Sequence, residues 1–371
     1  MPLNGEWNMF KKAVAESEKG MIEEYHHLIA RRILLLVFCI AGIVLFAGLF
    51  SVTNYPDLTL GKTYEIIFKH ITGQQDTFDR AEWWADRYIW NTAMPHVVLG
   101  ILAGASLAIC GTLMQALMGN PLADPYSTGI SSGACFGAVS AIVAGTYFAA
   151  LGGQSGIVLN AFIGAMVPAV IIVLLASRIK MTPATLILLG TALSYFFNSM
   201  ITYLMVTTDA DNLKAAYLWQ IGNLNNITWS SIPFIALVTI VGSIIIMGMS
   251  NKLNIMASGD HTAISLGVDI QNFRTVCLLL MAVMTASIVA YTGIIGFVGL
   301  VAPHLVRMII GGDNKFVAPI SMAAGAFIIL LADYISYMLS NIPIGVITCM
   351  IGSPVFFILI IWQSKRTGAI Y

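Results

Sequence analysis

The chain has 371 residues, 58% of them hydrophobic and only 10% charged, where soluble domains carry roughly 25% charge. Its 18 basic and 18 acidic residues cancel, so no basic surface announces a nucleic-acid partner. Apolar runs of bilayer length, about 20 residues each, recur from Arg32 almost to the end, which excludes a soluble domain and makes this an all-α polytopic membrane protein.

Residues 1–32 mix both charges and lack the apolar core of a signal peptide, so they read as a cytoplasmic tail. The apolar runs then predict about ten spans: 33–50, 94–116, 127–149, 157–177, 184–206, 231–249, 274–292, 294–310, 316–339 and 345–362. They make one transmembrane domain over 33–365, followed by a short tail at 366–371. The longest outer loop, 51–92, should hold a short surface helix near Leu60 to His70, and the longest inner loop is 250–273.

Placing the amino terminus inside leaves only Lys62, Lys69, Arg80, Arg87 and Lys214 of the 18 basic side chains outside. The bias sets both termini in the cytoplasm of a cell-membrane protein. Trp83, Trp84, Trp90, Trp219 and Trp229 all fall in outer segments, where amphipathic rings suit the interface.

Glycines in "GILAGASLAICG" and "GIIGFVGLVAPHLV" recur at helical intervals, which lets helix backbones approach closely. Pro303 interrupts the hydrogen bonding of its span. The five cysteines stand singly in apolar runs without C-x-x-C spacing, so neither a disulfide framework nor a metal site is expected, and no cofactor is implied.

Two short patterns are decoys. "LGKT" at Leu60 to Thr63 looks like a phosphate loop, but the required earlier glycine is Pro56, so the chain carries no nucleotide site of its own. "GISSG" at Gly129 to Gly133 matches a nucleophile elbow, with His304 and Asp333 as conceivable partners of Ser131 or Ser132. An elbow needs a strand-to-helix turn, and this chain has no sheet to provide one. Asp333 alone is also thin support for an ion-coupled secondary transporter, which pairs intramembrane charges with broken helices.

The stretch Met118 to Ala134 breaks the apolar pattern with Asn120, Pro121, Asp124 and Pro125, then opens a helix with small residues. A stiff turn at the inner mouth suits a gate. In the inner loop, Ser258 or Asp260 can cap a short helix that Gly267 ends, with Ala263 and Leu266 three apart on one face.

"GASLAICGTLMQALMGNPLADPYSTGISSGA" resembles the signature of the permease subunits of binding-protein-dependent ABC importers for iron chelates, haem and cobalamin. "GDHTAISLGVD", "GIIGFVGLVAPHLVRMIIGGD" and "LADYISYMLSNIPIGVITCMIGSPVF" resemble three further segments of that family, in the expected order. The resemblance implies a cobalamin-permease-like fold of ten helices, a homodimer in membrane lipid, two cytoplasmic ATP-binding subunits and an external solute-binding protein. It also implies a pseudo-twofold relation between spans two to five and seven to ten.

Carried onto this sequence, it makes Asp260, Ala263, Leu266 and Gly267 the ATPase-coupling helix, and Asn120, Leu122, Met181 and Thr182 the cytoplasmic gate. Asn198, Ser199 and Thr202 become pore-lining candidates. At the outer rim, where family members place arginines that meet the binding protein, this chain has Ala93, His96 and Tyr337. The implied function is transport without covalent chemistry, since ATP hydrolysis belongs to a partner.

Overall fold

A computed structural model describes residues 3–53, 55, 57–147, 153–176, 178–225 and 227–367, and among them it contains α-helices and no strand. The helices are α1 (Leu3–Thr53), α2 (Leu60–Ile71), α3 (Arg80–Tyr88), α4 (Met94–Met118), α5 (Ile130–Ala144), α6 (Gly153–Ala176), α7 (Pro183–Val206) and α8 (Ala210–Gln220). They continue with α9 (Ile232–Gly248), α10 (Ser250–Ala257), α11 (Asp260–Ser265), α12 (Ile270–Thr292), α13 (Val298–Ile310), α14 (Asn314–Met338) and α15 (Ile344–Thr367).

Each of the about ten predicted spans contains an α-helix among the described residues. Seven of the helices are long and apolar enough to cross a membrane, eight if α9 and α10, bent by 61°, form one span. Helices α5 and α13 have 15 and 13 residues. At 1.5 Å per residue each is about 20 Å long, short of a core about 30 Å thick. Helix α5 follows a buried 3-10 turn at Pro125–Thr128, and α13 follows the non-helical stretch 293–297. Pro125, Thr128 and Gly129 ahead of α5 are buried, and the Tyr126 hydroxyl donates to the Ile295 carbonyl, ahead of α13, at 3.2 Å. Two broken spans thus meet each other. Irregular backbone survives at such depth because protein surrounds it.

Helix α1 runs unbroken from Leu3 to Thr53, so the charged residues before Ile33 and the first apolar span share one helix. Helix α4 is the axis of the fold, with 83% of its most apolar window buried. Small residues set the crossings: a Cβ on Gly104 would strike the backbone of Gly325 in α14, and one on Gly111 the backbone of Gly299 in α13. Gly133 and Gly164 do the same between α5 and α6.

Helix α4 packs on α14 as α12 packs on α6, and α5 packs on α6 as α13 packs on α14. Matching α4–α7 to α12–α15 exchanges these pairs, the pattern expected of an internal repeat.

The surface helix expected in the first outer loop is α2, whose N-cap Thr59 accepts from Lys62 N. Behind it, α3 starts with a capping box between Asp79 and Glu82. Leu58, Ile66, Ala85 and Ile89 join these pieces in a small core of their own.

Candidate functional site

The predicted gate and coupling residues gather at one end of the bundle, where α4 ends, α7 begins and the α10–α11 hairpin folds back. Helix α4 stops at Gly119, in left-handed conformation at φ 56°. Asn120 follows, and its side-chain oxygen accepts from Leu122 N at 2.9 Å, fixing the turn before Pro125. Asn120 and Leu122 are both exposed. The second gate segment precedes α7: Thr182 caps that helix by accepting from Thr185 N at 3.2 Å, and it too is exposed. Met181 differs from expectation, since its side chain is buried and only its carbonyl reaches a functional neighbour.

The short helix expected in the inner loop is α11, though its caps and faces differ from expectation. Gly259, at φ 101°, occupies the N-cap, so neither Ser258 nor Asp260 caps it. Gly267 ends the turn at φ 79°, with Val268 N bonded to Ala263 O at 3.0 Å. Ala263 is fully buried, whereas Leu266 is 62% and Ile264 63% exposed. The helix ends at Ser265, which leaves Leu266 just beyond it. Ala263 and Leu266 therefore do not share a face. The outward apolar pair is Ile264 and Leu266.

Asp260 turns inward to Arg274 of α12, Oδ1 to Nη2 at 2.9 Å. Arg274 is almost fully buried and also donates to the carbonyls of Leu117 and Met181. Nearby, Gln271 donates to Ala176 O at 2.6 Å and Ile179 O at 3.3 Å. Leu117 O and Ala176 O are carbonyls at helix C-terminal ends, which have no partner within their own helices, and Ile179 O and Met181 O lie in the loop before α7. Sequence reading counted Arg274 only as one inner charge. The signal was its place in the second turn of α12, near the positive end of the helix dipole, where a cation is disfavoured unless something else holds it.

A second knot lies beside the first. Arg307 donates to Gln115 Oε1, Gly312 O, Thr112 O and Asn314 Oδ1, and Asn254 of α10 bridges Asp313 and Asn314 at 2.7 Å each. Arg307 is thus a structural hydrogen-bonding residue. His304 is buried, and neither ring nitrogen has a hydrogen-bond partner among the described residues. Among the described residues, His304 therefore makes no hydrogen bond to Ser131 or Ser132.

At the opposite end, the rim prediction fails for two residues. Ala93 is fully buried, and buried His96 pairs with Asp333 at 2.9 Å while stacking on Phe50 at 4.3 Å. Neither can be a contact surface, because each faces the protein. Tyr337 is half-buried. The pair stabilises the fold instead: Asp333→Ala should strand a buried imidazole at a cost of about 1–3 kcal/mol, whereas Asp333→Asn keeps an acceptor. A lower thermal midpoint for Asp333→Ala than for Asp333→Asn, in detergent-purified protein, is the expected result.

Asn198, Ser199 and Thr202 all lie exposed on α7. The hydroxyls of Ser199 and Thr202 bond to Tyr195 O and Asn198 O one turn back, so they are satisfied within the helix.

Residues 33–362 match the FecCD transport family. The chain belongs to that family. It is 34% identical over 288 residues to the hemin transport system permease protein HmuU of Yersinia pestis, covering 76% of this chain and 86% of that one. The cobalamin import system permease protein BtuC of Halobacterium salinarum is 34% identical over 274 residues, covering 72% and 71%. A solved structure described as an inward-facing metal-chelate type ABC transporter superposes with a TM-score of 0.75 at 26% identity, covering 88% of this chain and 98% of that one. The FecCD chain described here is accordingly an importer-type membrane permease, and its all-α architecture is that of such permeases.

Proposed function

We propose that two copies of this chain enclose a pathway between their α7 and α15 helices and pass a metal chelate, haem or corrinoid into the cytoplasm. An external binding protein delivers the cargo, and two cytoplasmic ATPase subunits docked on α11 drive the cycle. The observation that carries the reading is the uncovered side of α7, only 22% buried over its most apolar window. Along it Thr191, Asn198, Ser199 and Thr202 stand exposed beside Tyr195 and Tyr203. The uncovered side of α1 from Ile33 to Leu45 is wholly apolar, as a lipid-facing helix should be. Polar groups on α7 call for a partner helix or a watery path instead.

The cargo class rests on relatives named for hemin and for cobalamin at equal identity. The bias of basic residues supports a cytoplasmic position for both termini.

Proteoliposomes holding the chain, its ATPase subunits and its binding protein should take up a radiolabelled ferric chelate, haem or cyanocobalamin only when ATP is supplied. Uptake that follows an ion gradient without ATP would reject the reading in favour of secondary transport. In the same vesicles, crosslinking a cysteine at Asn120, or at Thr182, to its counterpart in the second copy should stop uptake while the ATPase subunits stay bound. Uptake at the uncrosslinked rate through a fully crosslinked pair would remove these segments as gates.

A further inference from the structure

Three parts of the chain that the proposed function assigns to different tasks converge on one side chain. Asp260 begins α11, which carries the exposed Ile264 and Leu266. Leu117 lies in the last turn of α4, three residues before Asn120, and Met181 directly precedes Thr182. Arg274 holds all three: its Nη2 donates to Asp260 Oδ1 at 2.9 Å and to Leu117 O at 3.2 Å, and its Nη1 donates to Met181 O.

The burial of the pair is uneven. The Arg274 side chain is 2% exposed and the Asp260 carboxylate 37%. The guanidinium is therefore locked in the bundle, and the carboxylate sits at its mouth on the element that a partner would touch. A planar fork with five donors and a permanent charge suits three acceptors at once, which a lysine ammonium cannot match in geometry. Among the other hydrogen bonds described for this region, that of Gln271 to Ile179 O reaches the chain two residues before Met181. Asn254 ties α10 to Asp313 and Asn314, and Gln271 ties α12 to the end of α6.

We infer that Arg274 is the positioning residue through which displacement of α11 reaches both gate segments, with Asp260 as its point of attachment. This rests on the reading of the chain as an ATP-driven permease. When docked subunits shift α11, the carboxylate changes the hold of the guanidinium on the Leu117 and Met181 carbonyls. The turn at Asn120 and the start of α7 then move together. A static staple would make the same bonds, so the test must separate holding from transmitting.

The complete complex, with Cys349 replaced by serine, receives a single cysteine at Asn120 or at Thr182. The remaining native cysteines are buried. Labelling by a membrane-impermeant maleimide is followed with and without ATP. In the otherwise unaltered complex, ATP should change the labelling rate at both positions by about tenfold, as a population shift between two gate states would.

Asp260→Ala, which leaves the Arg274 bonds to both carbonyls in place, should abolish the change at both positions while the ATPase subunits still co-purify. Asp260→Glu should restore it. Arg274→Lys should behave like Asp260→Ala. An ATP response that persists at either position in Asp260→Ala overturns the inference. Loss of the ATPase subunits from that variant overturns it too, by making Asp260 a docking contact. No ATP response in the unaltered complex would instead reject the permease reading on which the inference rests.

Discussion

Gly111→Ala should leave little folded protein in the membrane. A Cβ at this position would fall on the Gly299 carbonyl oxygen, and the obstacle is backbone on both sides, so no rotamer change can relieve it. The two helices would have to part. Gly299 is itself pressed between Leu107 O and Pro125 Cδ, at 3.0 and 3.4 Å from where its own Cβ would lie. Separating α4 from α13 therefore disturbs the buried segment before α5 as well. It also loosens the neighbouring Gly104–Gly325 crossing on the same face of α4.

Overpacking in cores costs about 1–3 kcal/mol when side chains can adjust, and here they cannot, so the loss should lie at or above the top of that range. Gly61→Ala is the control, because nothing lies within 4 Å of the added carbon and alanine favours a helix. Monodisperse yield in detergent and thermal midpoint should drop sharply for Gly111→Ala and hold or rise for Gly61→Ala. Equal behaviour of the two would mean that the α4–α13 contact is not a fixed crossing.

That contact was legible in outline, since glycines at helical spacing in "GILAGASLAICG" and "GIIGFVGLVAPHLV" mark close approach. Their partners were not legible, because Gly111 and Gly299 are joined only by the fold. The same limit hid His96 with Asp333, which are 237 residues apart. The family resemblance made His96 an outer-rim group, yet here its ring turns inward to Asp333.

The shortness of α5 and α13 was also hidden. Hydropathy continues through 294–297 although the backbone there is not helical, and residues 127–128 belong to a short 3-10 turn ahead of α5. Apolarity reports burial, and both helical and extended segments are buried in this bundle. Helix α3 is a different kind of miss: Asp79 and Glu82 form a capping box that the sequence shows plainly. Arg274 shows the remaining limit, since a lone charge announces that it needs partners without naming them.

The docking surface yields the second large effect, and it reverses the simplest reading of the sequence, in which Ala263 and Leu266 are equivalent. Leu266→Asp and Ile264→Asp should each give a folded, inserted permease that has lost its ATPase subunits. Both side chains are more than 60% exposed in the single chain, so the charge is solvated until a partner covers it. Burying it unpaired in the interface costs about 2–4 kcal/mol, which weakens association by roughly 30-fold or more.

Ala263→Asp should fail earlier. Ala263 is fully buried in the core cluster that holds Leu253, Met256 and Phe273. The charge would enter that core in every state of the molecule, so folded protein should fall before any partner is added. Phe68→Asp, on the exposed face of α2 at 64% exposure, provides a matched apolar-to-charged change at the predicted opposite end and should leave ATPase association alone.

Size-exclusion profile and co-purification of the ATPase subunits, measured together for the four variants, separate the cases. Wild-type association with both Leu266→Asp and Ile264→Asp would move the docking surface away from α11. Normal accumulation of Ala263→Asp with selective loss of the partner would mean that α11 turns this residue outward when the complex forms.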